Sequence, residues 1–286
     1  VLDSGIEIDH PDLARSIWTN PDEVAGNGRE HDRNGYVDDV QGWNFIGGSD
    51  GRNVEQDTYE MTRLYAEGRT RFANVRTDTL SPAARADYEL YREATAEFEA
   101  ERAEKTELLG QIGNIAMLVQ RSTSLLRNEL GGDSLTEARV RALRSTRPEV
   151  QQAQSIYLQM AQQGITEEAI QSDLETLSEM VEYNLNPDFN PRPLVGDDPE
   201  DLSERVYGNA DVEGPTAEHG THVAGIIAAT GGNGIGIDGI ASAARIMSVR
   251  TVPDGDERDK DVANAIRYAA DNGAQIINMS FGKAYS

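Results

Sequence analysis

Ala244-Arg245-Ile246-Met247-Ser248-Val249-Arg250 reads as a strand, and Asp261 to Asn272 as an amphipathic helix that turns Val262, Ile266 and Ala269 inward. Gly273 stops that helix, and Gln275-Ile276-Ile277-Asn278-Met279-Ser280 reads as a second, buried strand. Strand, helix and strand at this spacing form a βαβ crossover, which joins parallel strands. The expected fold class is therefore α/β, a mostly parallel sheet flanked by helices. Just upstream, His219-Gly220-Thr221-His222-Val223-Ala224-Gly225-Ile226-Ile227-Ala228-Ala229 is small and apolar after its first turn, as expected of a helix buried in such a domain.

Working outward, the composition shifts twice. Residues 1–52 are rich in Gly, Asp, Asn and Pro with short apolar runs, the pattern of strands and loops. Residues 53–186 favour the helix formers Glu, Arg, Ala, Leu and Gln. Apolar stripes at Tyr88, Tyr91 and Phe98, at Leu108, Ile112, Ile115 and Val119, and at Ile170, Leu174, Leu177 and Val181 each predict one buried face. Breaks at Gly131-Gly132, Pro148 and Gly164 divide this stretch into about four helices. It reads as a helical insertion whose charges form solvated faces. Residues 187–207, with Pro187, Pro191, Pro193 and Pro199, read as an extended linker back to the parent domain, which resumes over 208–286. Val1-Leu2-Asp3-Ser4-Gly5 looks like a strand entered midway, and a sheet seldom stops just after Gly282, so the chain is expected to be an internal piece of a longer protein.

The balance of 26 Lys+Arg against 50 Asp+Glu, a formal charge of −24, argues against a nucleic-acid binder, because phosphate contacts need excess basic residues. No apolar run approaches the roughly 18 to 20 residues that span a bilayer. With no cysteine, disulfides, a thiol nucleophile and Cys-ligated zinc are excluded, although the compartment stays open.

Two motifs carry chemistry. Asp3-Ser4-Gly5 ends an apolar strand, where α/β proteins gather functional groups, yet an Asp followed by Ser-Gly also caps turns. His219 and His222 lie one helical turn apart, a spacing that also serves purely structural histidines. Together with Ile6, His10-Pro11-Asp12-Leu13 and Asn278-Met279-Ser280-Phe281-Gly282, these motifs resemble the subtilisin-like serine proteases. The resemblance covers about residues 1–50 and 208–286; the helical stretch is absent from the simplest members.

The resemblance implies that Asp3 orients the imidazole and that His219 is the general base, in the family's chain order of Asp, His, then Ser. A serine hydroxyl attacks poorly until such a base sits within hydrogen-bond reach. Ser280, Phe281 and Gly282 resemble the strand that pairs with an extended peptide or protein substrate. The family's Gly-Thr-Ser-Met-Ala type nucleophile motif and its oxyanion Asn are not found in the sequence, and Ser4, Ser280 and Ser286 do not replace that serine. These 286 residues alone are thus expected to be inactive, as part of an active protease. The family further implies a secreted or periplasmic location. The helical insertion would shade the cleft, tether substrate or dock an unknown partner.

Calcium, in a structural role, is the expected cofactor. Glu30-His31-Asp32-Arg33-Asn34-Gly35-Tyr36-Val37-Asp38-Asp39 sets oxygen ligands at alternate positions before a Gly, with Asp32, Asn34 and Asp38 as the candidates. It resembles half an EF-hand loop, although Glu begins it and no Glu closes it. By resemblance, Asp12 and Asn233, with the carbonyls of Gly231, Ile235 and Ile237, match the family's strong calcium site. Both loops also read as ordinary turns. Three rival readings come from other classes. An aspartic protease needs a second Asp-Ser/Thr-Gly, which is absent. A zinc hydrolase needs histidines at i and i+4 with an intervening Glu, whereas His219 and His222 are at i and i+3 with Gly following. A calcium-dependent interaction protein, or pseudoprotease, using the insertion is the alternative.

Overall fold

The computed structural model describes residues 1–132 and 134–285. The chain folds as two compact units, one formed by residues 1–91 and 186–286, the other by Arg92–Leu185.

The first unit is built on a parallel sheet in the order β1-β3-β2, with β1 at Leu2–Asp3, β2 at Gly42–Asn44 and β3 at Ser248–Arg250. The register pairs Leu2 with Val249 and Asp3 with Arg250 on one side of β3, and Trp43 with Val249 on the other. Parallel strands need covered crossovers. Helices α1 (Glu60–Arg71), α6 (Glu218–Ala228) and α7 (Asp259–Asp271) belong to this unit. Leu2, Trp43, Phe45, Val249, Tyr207 and Tyr268 share one core. Its aromatic rings meet edge-on, with Tyr36 centred 5.0 Å from Trp43 and 4.9 Å from Tyr268, the arrangement their quadrupoles favour. A second core of Ile6, Leu13, Ala224, Ala228 and Ile246 joins α6 to the loop after β1.

Three sequence expectations change here. Residues 275–280 do not form a buried strand: Leu2 bridges Met279, Leu2 N donates to the Asn278 carbonyl, and Ile276 is exposed. Among the described residues no strand pairs with the segment's other edge, and a strand needs neighbours to satisfy its backbone. On α6 only Gly220, Ala224 and Ala228 are buried, so one face rather than the whole helix is covered. On α7 the inward face carries Asp261, Asn264, Ala265, Tyr268 and Ala269, while Ile266 is exposed. The helix is rotated because Asp261 is drawn inward by Arg192, which donates to it from Nη1 at 2.6 Å and Nη2 at 2.8 Å. That pairing also builds the segment read as an extended linker into the first unit. Arg192 is buried, its Nε donates to Asp197 at 2.6 Å, and Tyr207 Oη donates to Asp261 at 2.7 Å.

The second unit contains α2 (Pro82–Glu129) from Arg92 onward, α3 (Glu137–Ala142), α4 (Pro148–Gln163) and α5 (Glu167–Glu179), with a π turn at Met180–Asn184. Leu126, Val140, Val150 and Ala153 form its core. Gly131 and Gly132 follow α2 at φ of +80° and +83°. Pro148 opens α4, and Gly164 closes it in the left-handed conformation. Thr136 and Thr166 cap α3 and α5 by accepting from Arg139 N and Ala169 N. One break went unmarked by glycine: residues 72–81 separate α1 from α2, which Pro82 begins. The stripe of Leu108, Ile112, Ile115 and Val119 is only partly covered, since Val119 is buried while Leu108 and Ile115 are exposed. Among the described residues no helix is long and apolar enough to cross a membrane.

Candidate active site

Asp3 stands at the carboxyl end of β1 and is 2% exposed. Gly5, at φ +128°, lets the chain turn sharply there, and any Cβ would lie 1.9 Å from the Glu213 carbonyl oxygen. The first turn of α6 is fastened to this turn. Ser4 Oγ donates to the Thr216 carbonyl at 2.7 Å, and Glu7 N donates to Thr221 Oγ1 at 2.9 Å. Gly220 permits the approach, because a Cβ at that position would sit 2.1 Å from the Gly5 carbonyl oxygen and 3.1 Å from Asp3 Cβ.

The result is a 2.7 Å contact between His219 Nδ1 and Asp3 Oδ1. An ionised carboxylate only accepts, so Nδ1 carries the proton and Nε2 is left as the basic nitrogen. Ser4 N also donates to Oδ1, at 2.8 Å, whereas the buried Oδ2 has no hydrogen-bond partner. The His219 side chain is 58% exposed, so its basic edge is accessible. It opens on a cleft of about 730 Å³ whose lining includes Pro215, His222, Val252, Asp254 and Ser280.

Beneath the site lies Arg250, fully buried. Its Nε donates to the Ser4 carbonyl at 2.8 Å and its Nη2 to the Val54 carbonyl at 2.7 Å. Burial lowers its pKa to about 10. Sequence reading missed this residue, because an Arg at a strand end carries no signal of burial.

Of the expected substrate strand, Ser280 lines the His219 cleft, and Phe281 packs partly against the main core. Gly282 has open space where a side chain would be. Ser286 lies outside the described residues.

The expected metal ligands divide. Asn233 Nδ2 donates to buried Asp12 Oδ1 at 2.6 Å, and Gly236 brings its backbone so close that a Cβ would lie 2.2 Å from Asp12 Oδ2. The loop carrying Gly231, Ile235 and Ile237 thus wraps Asp12, with Thr230 N donating to the Asp12 carbonyl. In the other loop Asp32 gathers with Glu23 and Asp39, each offering a carboxylate oxygen within 4.8 Å of the others. Asn34 Nδ2 donates to Asp32 and to Asp39, each at 2.9 Å. Asp38 does not join them. It takes φ +59° and accepts from Asn27 N at 3.1 Å and Gly28 N at 2.9 Å, because the turn directs its carboxylate toward that loop. Glu23 and Asp39 were missed: Glu23 lies outside the alternating run, and Asp39 falls one residue past the expected Asp38. Burial pushes the Asp39 carboxyl up, against hydrogen bonds from Tyr268, Asn34 and Asn20.

The model of the subtilase family matches residues 1–286. A thermophilic serine proteinase of Bacillus sp. (strain AK1) is 36% identical over 119 residues, 41% of this chain and 28% of that protein. The cell wall-associated protease of Bacillus subtilis (strain 168) is 40% identical over 86 residues, 30% of this chain and 10% of that protein. Thermitase of Thermoactinomyces vulgaris is 49% identical over 65 residues, 22% of this chain and 23% of that protein. The matches span less than a third of the length of each of these relatives. No solved structure gives a significant match.

Proposed function

The chain belongs to the subtilase family, and we propose that it supplies the acid and base of a serine endopeptidase. The observation that carries this reading is the 2.7 Å contact of His219 Nδ1 with Asp3 Oδ1 at the edge of an open cleft. Nε2 of His219 takes the proton of a serine hydroxyl as that oxygen attacks a peptide carbonyl, and returns it to the leaving amine. Asp3 holds the imidazole in its Nδ1–H tautomer and stabilises the imidazolium that forms. Ser4 is an unsuitable nucleophile, because its hydroxyl is committed to the Thr216 carbonyl at 2.7 Å. The family's serine motif is not found among these 286 residues, which supports the reading that they are inactive by themselves. Residues 280–282 pair with the backbone of an extended peptide substrate.

Calcium fits the cluster of Glu23, Asp32 and Asp39, and the family's pattern is the support for a second ion at Asp12. Glu23, Asp32 and Asp39 provide hard oxygen donors, and among the described ion pairs the basic side chain beside them is His31, at 3.4 Å from Glu23. Bound there, calcium would neutralise the crowded carboxylates and fix the loop before β2; at Asp12 it would fix the loop after α6. The helical stretch 53–186 is read as an insertion between the Asp and His motifs, a reading supported by Arg92–Leu185 of it forming a compact unit of its own. Export of the enzyme is supported by relatives such as the cell wall-associated protease.

The test expresses the chain with its downstream reading frame and measures casein hydrolysis and fluorophosphonate labelling. Both are expected, and both should vanish in Asp3→Ala and His219→Ala variants. A folded, extended chain without labelling would overturn the reading.

A further inference from the structure

In a chain in which 27% of residues are charged, the thirteen residues Leu108–Gln120 of α2 carry no charge at all. Within this run Leu108, Gln111, Ile115 and Leu118 recur at spacings of three and four, which places them in one seam along the helix. Leu108, Ile115 and Leu118 are 36%, 45% and 46% exposed. Val119, one helical turn past Ile115, is buried within its own unit, so the seam borders the covered part of α2 and leaves the rest of its apolar face uncovered. Scattered exposed apolar side chains are ordinary, but three of them in one seam, interrupted only by Gln111, mark a contact surface.

We propose that this seam pairs with the same seam of a second copy of the chain, the two α2 helices lying antiparallel about a twofold axis. Antiparallel pairing sets Leu108 against Leu118 and Gln111 against Ile115 of the partner subunit, so one patch is its own complement. The charges at its border choose the same orientation. Glu107 and Arg121, both exposed, flank the ends of the seam on one side. Antiparallel helices bring Glu107 of each copy beside Arg121 of the other, twice per dimer. Parallel helices would set Glu107 beside Ile112 and pair no charges.

Sedimentation of the full 286-residue chain tests this. A concentration-dependent dimer is expected, which Leu118→Glu should abolish. Glu107→Arg and Arg121→Glu should each weaken the dimer about tenfold or more, whereas an equimolar mixture of the two variants should regain the original affinity as a heterodimer. Because the chain has no native cysteine, a second readout is direct. Copies carrying Glu107→Cys should cross-link through a short bis-maleimide to copies carrying Arg121→Cys, and neither should cross-link to itself. A chain that stays monomeric at about 100 µM, a dimer indifferent to the charge exchanges, or self-cross-linking of either cysteine variant would overturn the proposal.

Discussion

His219 Nδ1 lies 2.7 Å from Asp3 Oδ1, although 216 positions separate the two residues in the chain. The contact depends on helix α6 resting directly on the turn after β1, and the residue that permits it is Gly220. Gly220→Ala would place a methyl group 2.1 Å from the Gly5 carbonyl oxygen, a backbone atom that has no alternative rotamer. The variant should lose about 1–3 kcal/mol of stability, read by urea unfolding. It should also lose the hydrogen-bonded Nδ1–H resonance of His219. An unchanged resonance would show that the approach is looser than described.

Arg250 should matter more than its distance from the cleft suggests. Arg250→Met fills similar volume but leaves the Ser4 and Val54 carbonyls without their donors in the interior. A loss of about 3 kcal/mol is expected, whereas Arg250→Lys should recover part of it by retaining one donor. Equal stability of the Met variant and the parent, measured by denaturant midpoint, would count against this role.

Calcium should raise the melting temperature, by an amount equivalent to about 2.7 kcal/mol when free calcium is a hundredfold above Kd. Asp32→Asn and Asp39→Asn should reduce that response, while Asp38→Asn should keep it, because Asp38 is occupied with Asn27 N and Gly28 N. Calorimetric titration of the three variants distinguishes the clustered carboxylates from their neighbour. Equal losses in all three would return Asp38 to the ligand set.

Asp256 provides a pH test away from both metal loops. Its carboxyl is raised by burial, with hydrogen bonding from Glu60 N and the nearby Arg63 acting the other way. A raised carboxyl binds its proton more tightly folded than unfolded, so its contribution to stability is largest in acid and diminishes as pH rises through its titration. Asp256→Asn keeps an oxygen for Glu60 N but cannot ionise. Relative to the parent it should therefore gain stability as pH rises from 4 to 7, as followed by thermal melts. A gap that does not vary with pH would remove the burial argument.

The helix ends were legible because they are local. Pro148 and Gly164 mark their boundaries through backbone restrictions that belong to single residues, and the family motifs around Asp3 and His219 are short and contiguous. The choice of buried face on α7 was not legible. Hydropathy ranks Ile266 above Asp261, but Arg192, 69 positions away from Asp261, makes the carboxylate the better residue to bury. In the Asp-rich loop, alternation along the chain selects Asp38, whereas the structure gathers Asp39 with Asp32 and a left-handed turn directs Asp38 toward Asn27 and Gly28.

By itself the sequence determined the parallel βαβ character, the helical character of the central stretch and the two short motifs that hold Asp3 and His219, all of which are read from residue type, period and order. Only the tertiary structure decided that these two groups touch, that Arg250 underlies them, and that Glu23 and Asp39 rather than Asp38 stand with Asp32. Such facts depend on which distant backbones approach closely enough for a side chain to meet its partner. Periodicity along the chain holds no information about that distance.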